Sequence, residues 1–293
     1  MTHADLGNSD LSHANLSRAF LKGAKMGHAD LRRARLTEAT LTEADLRDAV
    51  LLEANLSDAQ LVDANLAQVV LSRADLRGAN LSRAKLSAAK LDGATFEEAI
   101  LSGANLTAAN AEMADLRNSV LHKTTLSEAV LSEADLSEAD LTEAELQQAD
   151  LSLVNLTGAN LRLADLTRAD LTRANLHKAK IAAATLTMTD LSGSTLSQVD
   201  LRGSSLRRAK LNGANLRKAI LHEADLIGAD LDQADLREAD LRGAKVTPAQ
   251  LAQAFSLEGT TLPDGTKHVE ENHIEPTSSH IVPSPLVPHD GTA

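Results

Sequence analysis

No cysteine, tryptophan or tyrosine occurs anywhere in the chain, and three phenylalanines hold the aromatic share at 1%. The missing thiols exclude disulfides and thiolate metal sites, and they leave the redox compartment undetermined. So few rings cannot build an ordinary mixed core. Proline is absent before Pro248, which suits a chain of uninterrupted backbone ladders, since proline brings no N–H to a ladder. No apolar run approaches membrane-spanning length. The opening MTHADLGNSDL has neither a basic region nor a continuous apolar stretch, so a secretory signal is not expected. These absences predict a soluble, cytoplasmic protein with no membrane contact.

What the chain does contain is leucine and alanine, which make up almost all of its 43% hydrophobic content. From Leu6 to Val246 an apolar residue returns at every fifth position, 49 times without a slip. Forty-four of these are Leu; the others are Met26, Phe96, Ala111, Ile181 and Val246. Two residues earlier, 40 of the 49 are Ala. At 293 residues the chain is longer than one ordinary core, and a repeat array accounts for that length.

A period of five fits neither regular element. Five steps of an α-helix turn through about 500°, so the leucines would spread around the whole helix. In a straight strand five is odd, and successive leucines would alternate faces. Within one short extended piece, however, the Ala at i−2 and the Leu at i share a face. The chain must therefore turn once per pentapeptide and keep both residues inside a coil. Ten of the twelve glycines before residue 247 fall at i+2, where such a turn belongs.

Units such as Ala134-Asp135-Leu136-Ser137-Glu138 and Ala159-Asn160-Leu161-Arg162-Leu163 resemble the A(D/N)LXX unit of pentapeptide-repeat proteins. The resemblance covers residues 4–246 and implies an all-β fold. Its form would be a right-handed quadrilateral β-helix with four pentapeptides per coil. About twelve coils at the strand spacing give a rod of roughly 58 Å. The beat breaks at Val246. Thr247 and Gln250 form a T-x-x-Q capping box with Pro248 at the first helical position. A short helix over about 248–255 is predicted to place Leu251, Ala252 and Phe255 over the open core. Leu257, Leu262 and the turn Pro263-Asp264-Gly265 read as a closing strand and stop, so residues 247–266 form the cap. Residues 267–293, with four of the six prolines from Pro276 onward, read as a disordered tail. The N-terminus shows no matching cap, and self-association through the first coil is one expected consequence.

Two irregularities interrupt the core pattern. Ala111 replaces a central Leu while the large Phe96 sits on the adjacent face of the preceding coil, which reads as volume compensation. One coil carries Thr189, Ser194, Val199 and Ser204 in place of its inward alanines. Their hydroxyls are expected to bond neighbouring carbonyls.

Chemistry is harder to place. The repeat shows no phosphate loop or dinucleotide fingerprint, and no cofactor is expected. His122, His177 and His222 lie at outward i+1 positions. His268, His273, His280 and His289 are irregularly spaced without partner ligands, so no metal site is expected. The reading is a non-enzymatic protein-interaction or structural scaffold with an unidentified protein partner. The alternative follows from the resemblance: some family members protect or inhibit DNA gyrase by mimicking DNA. Duplex DNA carries one charge per ~1.7 Å, so a mimic of this length needs roughly 34 net negative charges. Residues 1–246 hold 35 acids against 28 bases.

Charge does segregate locally, and two belts are candidate partner sites. The acidic belt holds Glu128, Glu133, Asp135, Glu138, Asp140, Glu143, Glu145 and Asp150, with no Lys or Arg between residues 124 and 161. The basic belt holds Arg202, Arg207, Arg208, Lys210, Arg217 and Lys218, with no acid between 201 and 222. No aromatic residue interleaves the basic belt, so direct nucleic-acid binding is not expected. Outward apolar residues sort onto two opposite faces: Val50, Leu52, Val70, Val130 and Leu153 on one, and Phe20, Val62, Ile100, Val120, Leu163 and Ile220 on the other. Either set is a candidate docking stripe.

Overall fold

A computed structural model describes residues 1–269. The expected tail from residue 270 onward, with His273, His280 and His289, lies outside the described residues. From Asp5 to Lys245 the chain forms parallel bridges between residues twenty apart, such as Asp135 with Asn155. The architecture is a right-handed, four-sided β-helix in which four pentapeptides complete each coil.

The unit 135–139 shows why five residues suffice. The Leu136 N–H donates to Asn155 O of the next coil at 2.8 Å, and Asp135 N–H donates to Ala114 O of the preceding coil at 3.0 Å. Glu138 N–H reaches forward to Thr157 O at 3.0 Å, and Ala139 N–H closes the corner on Leu136 O at 3.1 Å. That leaves the Ser137 N–H, and the Asp135 side chain accepts it at 2.9 Å. Every backbone donor of the unit is thereby paired, as a close-packed backbone requires. The Asp or Asn before each leucine is thus a local cap for the N–H two residues on, the Asx-turn habit of these side chains.

Each corner places its second residue in the left-handed region, from His3 at φ 57° to Gly243 at φ 67°. Glycine holds only some of these positions; Glu, Arg and Leu hold others, as at Glu133 and Leu153. A side chain there costs on the order of 1 kcal/mol or more, which the corner hydrogen bond and the buried leucines offset. The inward Ala and Leu are fully buried from Leu21 onward. Each buried Leu contributes about 1.5–3 kcal/mol, which explains a stable core without aromatics. Phe96 and Ala111 both lie in this core.

The hydroxyls that replace inward alanines at Thr189, Ser194 and Ser204 are paired to leucine carbonyls. Ser194 donates to Leu191 O at 2.7 Å, Ser204 to Leu201 O at 2.6 Å, and Thr189 to Leu166 O of the coil below at 2.7 Å. Ser119 and Thr124, earlier in the rod, do the same with Leu116 and Leu101.

The two ends differ. Leu6, Leu11 and Leu16 of the first coil are only partly buried. The N–H groups of Asp5, Asp10, Asn15 and Phe20 have no coil beneath them among the described residues. At the other end Thr247 and Gln250 form the capping box, and the Gln250 amide donates to Leu226 O and Ala229 O at 2.8 Å each. The helix spans only Pro248–Leu251, shorter than its sequence pattern predicts, and Phe255 does not cover the core. Phe255 N–H bonds Ala234 O while Ser256 O accepts from Leu236 N–H, so two residues occupy the place of one. This bulge turns Phe255 outward, 61% exposed, with the Arg237 guanidinium 5.7 Å from its ring centre. It also shifts the register to twenty-one, pairing Asp235 with Ser256 and Asp240 with Thr261. Leu251 and Leu257 remain half-buried around an apolar groove of about 500 Å³ at this end.

Candidate interaction surface

The first determinant of surface charge is a fork built inside single pentapeptides. Where Arg follows the leucine of an Asp unit, both outward side chains of that unit meet. Arg77 grips Asp75 with Nε and Nη2 at 2.9 and 2.7 Å, and Asp75 also accepts the Arg77 backbone N–H at 3.2 Å. Arg117–Asp115, Arg202–Asp200, Arg237–Asp235 and Arg242–Asp240 repeat the geometry, and Arg32 pairs with Asp30 in the same way. The guanidinium hydrogen bond is the main cause holding the Asp75, Asp115, Asp200, Asp235 and Asp240 carboxyls below the usual range. Ion pairs between coils add to this, as in Arg83–Asp63 at 2.6 Å. Ion pairing therefore neutralises part of the rod's acidic surface locally and leaves other carboxylates without a cation.

The basic belt is largely consumed in this way. Besides the Arg202 fork, Arg207 pairs with Asp225 at 3.0 Å and Lys210 with Asp190 at 2.8 Å. Arg217 and Lys218 converge on Glu238 at 3.9 and 3.5 Å. Only Arg208 of the six has no ion pair among the described residues. The belt is not a free cationic patch, because its acids come from outside its linear window.

The acidic belt keeps its charge. Glu128, Glu133, Glu138 and Glu143 occupy four successive corners of one coil, all in the left-handed conformation. Among them only Glu143 meets a cation, Lys123 at 3.3 Å. Asp135 and Asp140 accept the neutral amides of Asn155 and Asn160, each at 3.0 Å, and Glu145 accepts a weak bond from Thr125. Asp150 receives the Ser152 N–H and hydroxyl. The Glu138 carboxylate folds into the notch over Gly158, where an added Cβ would stand 2.2 Å from its Oε1. The result is a ring of carboxylates running across the rod.

Two coils further on lies a cationic ring that linear composition hides. Arg168, Arg173 and Lys178 stand on the corners above Glu128, Glu133 and Glu138, and no ion pair engages them among the described residues. Asp165 and Asp170 lie beside them in sequence, and their carboxylates cap the Thr167 and Thr172 N–H groups without pairing with the three cations. Folding the sequence at twenty residues per coil and comparing the corner positions alone would have exposed this ring.

The apolar stripes do not form. Phe20, Ile100, Leu163 and Ile220 are exposed on one side and Leu153 on the other, but Val50, Leu52, Val70, Val130, Val62 and Val120 are partly buried within their faces. His177 Nδ1 lies 2.7 Å from Ser197 Oγ. The outward residues stacked beside that pair are Asn175, Thr195 and Asn215, so no carboxylate completes a relay.

Comparison with known proteins agrees with the geometry. The family model for pentapeptide repeats matches in successive segments from residue 1 to residue 254. The chain belongs to the pentapeptide-repeat family. No curated protein matches it significantly. Among solved structures, HetL is 34% identical over 91% of this chain and 92% of its own, with a TM-score of 0.21. HetL is a pentapeptide repeat protein involved in heterocyst differentiation regulation in the cyanobacterium Nostoc sp. strain PCC 7120. A pentapeptide repeat protein of the Arabidopsis thaliana thylakoid lumen is 29% identical over 36% of this chain and 74% of its own, at TM-score 0.35. QnrB1, a plasmid-mediated fluoroquinolone resistance protein, is 16% identical over 70% of this chain and 90% of its own, at TM-score 0.34. Among the described residues no helix is long and apolar enough to cross a membrane.

Proposed function

We propose that this pentapeptide-repeat chain is a non-enzymatic scaffold for protein contact, and that its acidic coil is the principal docking site. The observation that carries the reading is the ring of Glu128, Glu133 and Glu138, three successive corner carboxylates of one coil with no ion pair among the described residues. A carboxylate ring on a rigid, filled rod suits a partner segment rich in Lys or Arg, which electrostatic attraction would steer into contact. Catalysis would need a concave site with convergent polar groups. The rod instead offers shallow surface corrugations and one apolar groove at its end.

A DNA-mimicking gyrase inhibitor would need its charge in a double row along the rod, and here the unpaired corner carboxylates Glu128, Glu133 and Glu138 run around it. The test is affinity capture with the full chain and with a variant carrying Glu128→Gln, Glu133→Gln and Glu138→Gln. A partner retained by the native chain and lost with the variant, at unchanged melting behaviour, supports the scaffold reading. Capture that ignores the three substitutions removes the acidic ring as the site.

A further inference from the structure

Three successive coils present one flat face whose rows are complementary to their own inverse. The first row carries Glu133 and Glu138 at its two corners, and the third carries Arg173 and Lys178 at the same corners. Between them lies a neutral row with Leu153 at one corner, 50% exposed, Gly158 at the other and Asn155 in the centre. None of the four charged side chains has an ion pair among the described residues. Two coils separate the acidic from the basic row, about 10 Å at the strand spacing.

We propose that this face is a two-fold contact between two copies of the chain lying side by side and antiparallel. A two-fold axis through the middle row, perpendicular to the rods, keeps each corner column opposite itself and reverses its direction. Glu133 then meets Arg173 of the second copy, and Glu138 meets its Lys178, giving four cross-pairs in all. Leu153 packs on its own equivalent, and Asn155 meets Asn155, whose amide both donates and accepts. One row further out, the exposed Met113 falls opposite Gly193, a corner that carries no side chain. An isologous interface demands this self-complementarity. The neighbouring face fails the same test, because its middle row would bring Asp150 against Asp150. The contact is polar and small, so its affinity should be modest and its salt dependence strong. It goes beyond the scaffold reading and draws on two of the same carboxylates, Glu133 and Glu138, so a basic partner bound there would displace the second copy.

The absence of cysteine makes the test clean. Sedimentation of the full chain should show a reversible dimer that weakens by about tenfold or more from 0.05 M to 0.5 M salt, where screening shortens to a few ångströms. Scattering of the dimer should show a thicker rod of little greater length. Glu133→Arg with Glu138→Lys should abolish it, as should Arg173→Glu with Lys178→Glu, and the four changes together should restore it. Corner positions elsewhere in the rod already carry both charge signs, and circular dichroism melts would verify that the variants fold. Leu153→Cys should crosslink efficiently under mild oxidation, while Leu163→Cys, on a corner outside this face, should not. A monomer at all concentrations, an end-to-end dimer of doubled length, a four-fold swap that stays monomeric, or equal crosslinking at both positions would overturn the proposal.

Discussion

The coil with hydroxyls in its interior gives a sharp energetic test. Ser194 and Ser204 each donate to the carbonyl of the leucine three residues before, at 2.7 and 2.6 Å. Those same carbonyls also accept the backbone N–H of Ser194 and Ser204, both at 3.1 Å. Replacing either serine by alanine therefore leaves no orphaned acceptor. The lost side-chain bond is worth about 0.5–1.5 kcal/mol. Alanine is the usual residue at this place in the repeat, so no new cavity opens. Ser194→Ala with Ser204→Ala should therefore cost about 1–3 kcal/mol together. The check is chemical denaturation read together with amide exchange across residues 186–210, because repeat arrays need not unfold as one unit. A loss above about 3 kcal/mol for the pair would refute the reasoning. It would mean that these hydroxyls hold the coil in a shape alanine cannot support.

Other expectations follow from the same structure. Phe96→Ala should cost about 3–5 kcal/mol, and Ala111→Leu in that background should recover part of it; strictly additive effects would show that the two residues share no volume. The carboxyls of Asp75, Asp115, Asp200, Asp235 and Asp240 are held low by their arginines. Their stabilisation is fully present above the unfolded Asp value of about 3.9 and is lost as pH falls through the lowered folded values, so melting temperature should drop below about pH 4. Replacing several of these arginines by Gln should flatten that acid limb. In the first coil, amide exchange between residues 4 and 20 should outpace exchange at the equivalent positions of later coils, or an introduced cysteine at Asn8 should crosslink two copies; slow exchange in a monomer would contradict both.

Much of the fold is legible in the residues because the constraint is repeated so often. Leu, Ala and the Asp or Asn between them each have one physical task, and a five-residue period admits no helix and no straight strand. The bulge at Phe255 was not legible: a ring after a capping box reads as core cover, and only the ladder at Ala234 and Leu236 shows two residues in one place. The surface was legible in part. The acidic run survives folding because the coil above it presents Gln148, Leu153 and Gly158 at its corners. The basic run does not survive, because Asp190, Asp225 and Glu238 reach it from coils outside its linear window. The ring of Arg168, Arg173 and Lys178 was hidden for the converse reason. Its neighbouring aspartates look like ion-pair partners in sequence, but in the fold they bond the turn N–H groups of Thr167 and Thr172 and pair with none of the three cations.

That the corner carboxylates Glu128, Glu133 and Glu138 form a ring across this rod, and not a DNA-like row along it, is tested most directly by a gyrase supercoiling assay with the full chain. The ring arrangement predicts no inhibition and no protection at concentrations up to about 10 μM, within the range in which nonspecific contacts with a DNA-binding surface form. Potent, salt-sensitive inhibition that disappears on Glu133→Gln, Glu138→Gln and Glu143→Gln, with the melting curve unchanged, would contradict it.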